Sequence, residues 1–132
     1  MSESEAESEP VWGVIFAHGR MAQGMVDAVV RISGVADALV AISNQGKGPE
    51  EMKTALLEAI GDRRTIVFTD LASGSCAMAA AVSCKETKDR RAVVCGVNLP
   101  VLLDFVFHRS LPLQELVPRL VEKGRDGLRS FP

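Results

Sequence analysis

Two side chains in this sequence, His18 and Asp70, could together carry out nucleophilic chemistry, and Ser73, Gly74 and Ser75 follow closely behind the aspartate. A neutral imidazole has one nitrogen that carries hydrogen and one with a free lone pair. A carboxylate that accepts the hydrogen fixes the tautomer and leaves the other nitrogen as nucleophile or base. It also stabilises the cationic ring that forms when that nitrogen takes a phosphoryl group. Ser73, Gly74 and Ser75 can offer hydroxyls and backbone N–H groups at a helix start, where an anion is favoured. A nucleophilic histidine, an orienting acid and an anion cradle suit phosphoryl transfer. Each residue also has a plainer use: His18-Gly19 as a strand-to-helix turn, Asp70 as an N-cap, Gly74 as a turn residue. His108, beside Arg109, reads as an ordinary surface residue. Cys76 could be an activated thiol at a helix start. No second histidine is placed to serve it, and core packing is the simpler reading.

What would bring His18 and Asp70 together is an alternation of strands and helices. Val11 to Ala17 is a continuous apolar run, as expected of a strand buried on both faces. After His18-Gly19, residues Met25, Val26, Val29 and Val30 share a helical stripe. Ala38 to Ile42 is a second strand, and a turn-rich stretch from Ser43 to Pro49 leads to a helix with Met52, Ala55, Leu56, Ala59 and Ile60 on one face. Thr65 to Thr69 is the third strand, ending at Asp70, and an alanine-rich helix spans Cys76 to Lys85. Ala92 to Val97 is the fourth strand. Asn98 can cap the next helix, with Pro100 just inside it. A last helix carries Leu113, Leu116, Val117, Leu120 and Val121 and is expected to stop at Gly124. Gly127 to Phe131 could form a short edge strand. Such alternation implies right-handed crossovers and a mostly parallel sheet covered on both faces. Ligands then gather at the carboxyl ends of the strands, which here carry His18, Asn44, Asp70 and Asn98.

Composition sets the remaining bounds. The 132 residues are 47% apolar and 24% charged, which fits one globular domain with a real core. Residues 1–10 alternate serine and glutamate and read as an acidic disordered arm, leaving 11–132 as the folded domain. The charge over 11–132 is near neutral without basic clusters, which argues against nucleic acid as partner. No basic segment followed by an apolar one marks export, and the longest apolar run is too short to span a bilayer. Cys76, Cys84 and Cys95 lack CxxC spacing, so neither a disulfide framework nor a zinc site is expected, and a reduced cytoplasmic setting fits.

Three stretches resemble the enzyme IIA domain of the mannose-type (mannose, fructose, sorbose) sugar phosphotransferase system. They are Gly13-Val14-Ile15-Phe16-Ala17-His18-Gly19, the loop from Asp70 to Ser75, and Cys95-Gly96-Val97-Asn98-Leu99-Pro100-Val101-Leu102-Leu103. The ending Glu122-Lys123-Gly124-Arg125-Asp126-Gly127 is similar too, so the likeness runs over residues 11–131. The resemblance implies that His18 is phosphorylated on Nε2 by phospho-HPr and hands the group to an enzyme IIB. It implies that Asp70 holds the other ring nitrogen and that Ser75 contacts the phosphate. No cofactor and no metal are implied. The implied fold is a flavodoxin-like three-layer α/β/α sandwich with four parallel strands and a short antiparallel edge strand. The family forms a homodimer by exchanging that last strand, and association with residues after Gly124 is therefore expected. The sequence departs from the family pattern where Gly-Gly-Ser-Pro becomes Ser73-Gly74-Ser75-Cys76. No IIB domain follows, so the acceptor must be a separate chain, and contact with a membrane would be indirect, through a permease complex.

Two other functions fit parts of the same pattern. One keeps the chemistry but makes the chain a phosphotransferase-linked regulator or a phosphate donor to a dihydroxyacetone kinase. The other is a flavodoxin-like binding module without covalent chemistry. Against nucleotide binding, no Gly-x-Gly-x-x-Gly loop follows the first strand.

Overall fold

The structure, a computed structural model, describes residues 9–132. Most of the expected acidic arm, residues 1–8, lies outside them. Glu9 and Pro10 are exposed, and the Glu9 carbonyl accepts a hydrogen bond from the Arg64 guanidinium.

Four parallel strands form the sheet in the order β2-β1-β3-β4, where β1 is Trp12–Ala17, β2 Leu39–Ser43, β3 Thr65–Thr69 and β4 Arg91–Cys95. Helix α1 (Met21–Ser33) follows β1, α2 (Pro49–Ile60) follows β2 and α3 (Ser75–Cys84) follows β3, with a 3₁₀ turn over Lys85–Thr87. After β4 come α4 (Leu99–Phe107) and α5 (Leu113–Asp126). This is the flavodoxin-like three-layer sandwich.

The apolar runs of β1 and β3 are explained by burial on both faces. Ile15, Ala17, Ile66 and Phe68 pack into one core with α1, α4 and α5. Val14, Phe16 and Val67 pack into a second with α2 and α3. In the first core the rings of Phe68 and Phe105 meet edge to face, 5.1 Å apart and inclined by 73°. The alanines of α3 let that helix lie close against the sheet, with Ala80 fully buried.

Register decides which residues share the carboxyl edge. Ala17 pairs with Ser43, Phe16 with Thr69 and Thr69 with Cys95. The residues just beyond the strand ends are therefore His18, Asn44, Asp70 and Gly96, side by side. His108 is at the far edge, because Val11 at the entry to β1 donates its N–H to the Arg109 carbonyl at 2.8 Å. There His108 Nδ1 sits 2.8 Å from the Asp104 carbonyl and is half-buried, which is a helix-end contact rather than a free surface position.

Two expectations about the C-terminal end are corrected. Helix α5 does not stop at Gly124 but continues to Asp126, and Gly127 to Phe131 forms no strand. The physical reason is the close packing of α5 on α4. A Cβ at position 124 would lie 2.6 Å from Val101 Cγ2, and one at position 127 would lie 2.6 Å from Pro100 Cγ. Gly124 is thus spent on helix contact inside α5, while Gly127 caps the helix and packs against Pro100. The Asn98 amide donates to the Gly124 carbonyl at 2.9 Å, while its Oδ1 accepts from the Val101 N–H at 3.1 Å. Leu128 and Phe131 are left 87% and 83% exposed, without a partner strand among the described residues.

Candidate active site

His18 is the first residue past β1 and the ladder fixes its backbone. Its N–H donates to Asp70 Oδ2 at 3.0 Å, and its ring Nδ1 lies 2.9 Å from the same oxygen and 3.2 Å from Oδ1. An ionised carboxylate can only accept, so Nδ1 carries the proton and Nε2 keeps the lone pair. The His18 side chain is 40% exposed while that of Asp70 is only 9% exposed, so the acid sits beneath the ring and the ring faces outward. Burial pushes the Asp70 carboxyl up, but the backbone and ring hydrogen bonds from His18 outweigh it and leave Asp70 below its ordinary value.

A second set of contacts holds the loop after His18. The Gly19 N–H donates to Asn44 Oδ1 at 3.1 Å, and Ser43 Oγ donates to the Gly19 carbonyl at 2.7 Å. β2 thus braces the His18-Gly19 turn from one side while β3 holds the ring from the other. Asn44 was legible as a residue at the right edge, but nothing in the pattern gave it this bracing part. Asn98, expected at the end of the fourth strand, lies three residues beyond β4 and caps α4 while its amide holds α5.

The loop after Asp70 brings the start of α3 to the outer nitrogen. Ser75 Oγ is 3.5 Å from His18 Nε2, at the outer limit of a hydrogen bond. Gly74 has φ +96°, a conformation that L side chains rarely adopt, and a Cβ there would come within 3.7 Å of His18 Cε1. Only a glycine lets the loop pass the ring in this conformation without strain. Ser73 is exposed in the same loop. Gly74 and Ser75, at the start of α3, therefore lie beside Nε2, at the end of a helix where an anion is favoured.

Cys76 is the neighbour that sequence reading undervalued. Its Sγ lies 3.9 Å from His18 Nδ1 and the residue is fully buried. Burial, and then the Asp70 carboxylate, push the thiol up to about 11, so it is protonated at neutral pH and is not an activated nucleophile. His18, Asp70 and Cys76 nonetheless form a group of donors that could hold a metal ion, with their ligand atoms all within 4.8 Å of one another.

Comparison with known proteins identifies the family and the fold. The family described as PTS system fructose IIA component, EIIA-man, matches residues 13–121. The crystal structure of phosphotransferase system component EIIA from Streptococcus agalactiae is 25% identical, superposes with a TM-score of 0.85 and covers 92% of this chain and 97% of that one. The mannose/sorbose specific IIA subunit from Enterococcus faecalis is 21% identical with a TM-score of 0.80, covering 94% and 96%. The PTS IIA protein associated with the fucose utilization operon from Streptococcus pneumoniae is 20% identical with a TM-score of 0.76, covering 93% and 94%. No curated protein sequence matches. With the family match spanning most of the chain and the shared fold covering nearly all of it, this protein belongs to the mannose/fructose-type enzyme IIA family of the phosphotransferase system.

Proposed function

We propose that the chain is a phosphohistidine carrier in sugar uptake, taking a phosphoryl group from phospho-HPr onto His18 Nε2 and passing it to an enzyme IIB. The observation that carries this reading is the 2.9 Å contact between Asp70 and Nδ1, which leaves the lone pair on the outward-facing nitrogen. In the forward step that lone pair attacks phosphorus, the P–Nε2 bond forms, and the bond to the donor breaks with its electron pair leaving on the donor. The imidazole becomes cationic, and the Asp70 carboxylate stabilises it because it already accepts the Nδ1 proton. Ser75 Oγ, with the backbone of Ser73, Gly74 and Ser75 at the start of α3, takes up the phosphoryl oxygens. Transfer to the acceptor reverses these steps.

The surface around the site suits protein partners. Met21, Leu71 and Met78 each lie within three residues in sequence of His18, Asp70 or Ser75 and are 49%, 53% and 70% exposed, apolar surface of the kind that docks a protein. Among the described residues no helix is long and apolar enough to cross a membrane. On this reading the protein works in the cytoplasm and meets a membrane only through a permease complex. The exposed Leu128 and Phe131 join the free outer edge of β4 in a second copy, giving a homodimer.

Reconstitution with phosphoenolpyruvate, enzyme I and HPr tests this. The protein should take one labelled phosphoryl group per chain and lose it when a IIB protein is added. Uptake without delivery to any IIB, but with delivery to a dihydroxyacetone kinase, would shift the role to the donor alternative. No uptake at all would leave a binding module without covalent chemistry.

A further inference from the structure

We propose that His18, Asp70 and Cys76 bind a zinc-type divalent cation, and that the bound ion silences the phosphoryl site. No CxxC spacing announces such a site, because its ligands come from the ends of two strands and the start of a helix. The binding claim stands on geometry alone; the silencing claim rests on the phosphohistidine reading above.

The donors differ in kind: an imidazole nitrogen, a carboxylate oxygen and a sulfur. That set suits zinc and similar borderline cations rather than magnesium or calcium, which take oxygen ligands. Tetrahedral zinc with bonds of about 2.0 Å to nitrogen and oxygen and about 2.3 Å to sulfur needs N···O near 3.3 Å and N···S near 3.5 Å. Here Nδ1···Oδ1 is 3.2 Å and Nδ1···Sγ is 3.9 Å, and all three ligand atoms lie within 4.8 Å of one another, so the nitrogen–oxygen pair already fits and the Cys76 sulfur must draw inward to complete the set. Asp70 Oδ2 can keep the His18 backbone N–H while Oδ1 turns to the metal, which gives the ligand its outer-shell support.

The consequence for the ring follows from its proton count. Coordination at Nδ1 needs the lone pair there, so the ring proton moves to Nε2. The Cys76 S–H loses its proton to solvent as sulfur binds the ion. Thiolate and carboxylate neutralise the two positive charges. The neutral imidazole now has hydrogen on Nε2 and nothing with which to attack phosphorus. While the ion is bound, unphosphorylated His18 cannot be charged.

The test uses the full chain and cobalt(II), whose thiolate complexes show a charge-transfer band in the near ultraviolet. We expect one Co²⁺ per chain with that band, displaced by one equivalent of Zn²⁺. It should be lost in Cys76→Ser and, as a second variant at a half-exposed position, in His18→Ala, and kept in Cys95→Ser. Zn²⁺ affinity should fall in Cys76→Ser by more than the roughly 10–100-fold that losing an outer-shell partner costs. Phosphoryl uptake from phospho-HPr should stop with one equivalent of Zn²⁺ and return with a chelator. Absence of the band in the unmodified protein, or its persistence in Cys76→Ser, would overturn the site. A normal band with uptake undiminished by Zn²⁺ would overturn the silencing. Absent uptake even with chelator would instead count against the carrier reading and leave metal binding standing.

Discussion

One oxygen of Asp70, Oδ2, reaches both the backbone N–H of His18 at 3.0 Å and its ring Nδ1 at 2.9 Å. The aspartate therefore positions the histidine twice, once through the main chain and once through the ring. Removing its charge should leave the first contact largely in place and spoil the second. An asparagine can present its amide N–H to Nδ1, which reverses the tautomer and withdraws the lone pair from Nε2.

We therefore expect Asp70→Asn to fold normally and to take phosphate slowly. In a serine protease the equivalent change costs roughly 10⁴-fold. The His18 ring is far more exposed than a protease histidine, and the expected loss is smaller, roughly 10²–10³-fold. Stopped-flow or quenched-flow transfer from phospho-HPr measures it. A rate equal to that of the unmodified protein would remove Asp70 from the mechanism.

The same contact makes stability depend on pH in a definite direction. Asp70 titrates lower in the folded chain than in the unfolded one, so its contribution is complete above the unfolded value and is lost as pH falls through the native value. Urea midpoints for the unmodified protein and Asp70→Asn should differ by a constant gap at neutral pH. The gap should close only in acid, below a pH of about 4. A gap that is widest in acid would contradict the assignment of a stabilised carboxylate.

Much of this was legible in the chain because strand ends are legible. The unbroken apolar run of β1 and the abrupt switch at His18-Gly19 mark one edge position. The run Thr65 to Thr69 followed by Asp70 marks the other, and parallel pairing then brings the two together. Cys76 was not legible as a member of the site, since its burial against Nδ1 depends on how the Gly74 turn aims the start of α3. Nor was the end of α5. Gly124 looks like a helix stop in sequence, and only the packed structure shows Val101 filling the space its side chain would occupy.

Gly124→Ala makes that last point measurable. In an exposed helix interior the change should stabilise by up to about 1 kcal/mol. Here the added methyl meets Val101, which is 3% exposed and has a stiff β-branched side chain, so overpacking decides the sign. We expect a net loss of about 1–3 kcal/mol in chemical denaturation. A stabilised variant would show that α4 and α5 can separate freely.

The C-terminal end should matter for assembly rather than for folding. A chain ending at Gly127 keeps all of α5 but loses Leu128 and Phe131. Light scattering should then find a monomer with unchanged circular dichroism, while removal of residues 1–10 leaves the dimer intact. Exchange of one short strand between identical chains is a low-cost route to such a pair. A dimer that survives the C-terminal cut would place the association elsewhere.

The most direct test of the central claim is to locate the phosphoryl group itself. After incubation with phosphoenolpyruvate, enzyme I and HPr, phosphorus and proton–nitrogen NMR should show a single adduct on Nε2 of His18. It should be acid-labile and base-stable, and absent from His18→Ala. A phosphoryl group on His108, on a serine, or on Nδ1 of His18 would contradict the account, because Asp70 has been assigned to hold that inner nitrogen.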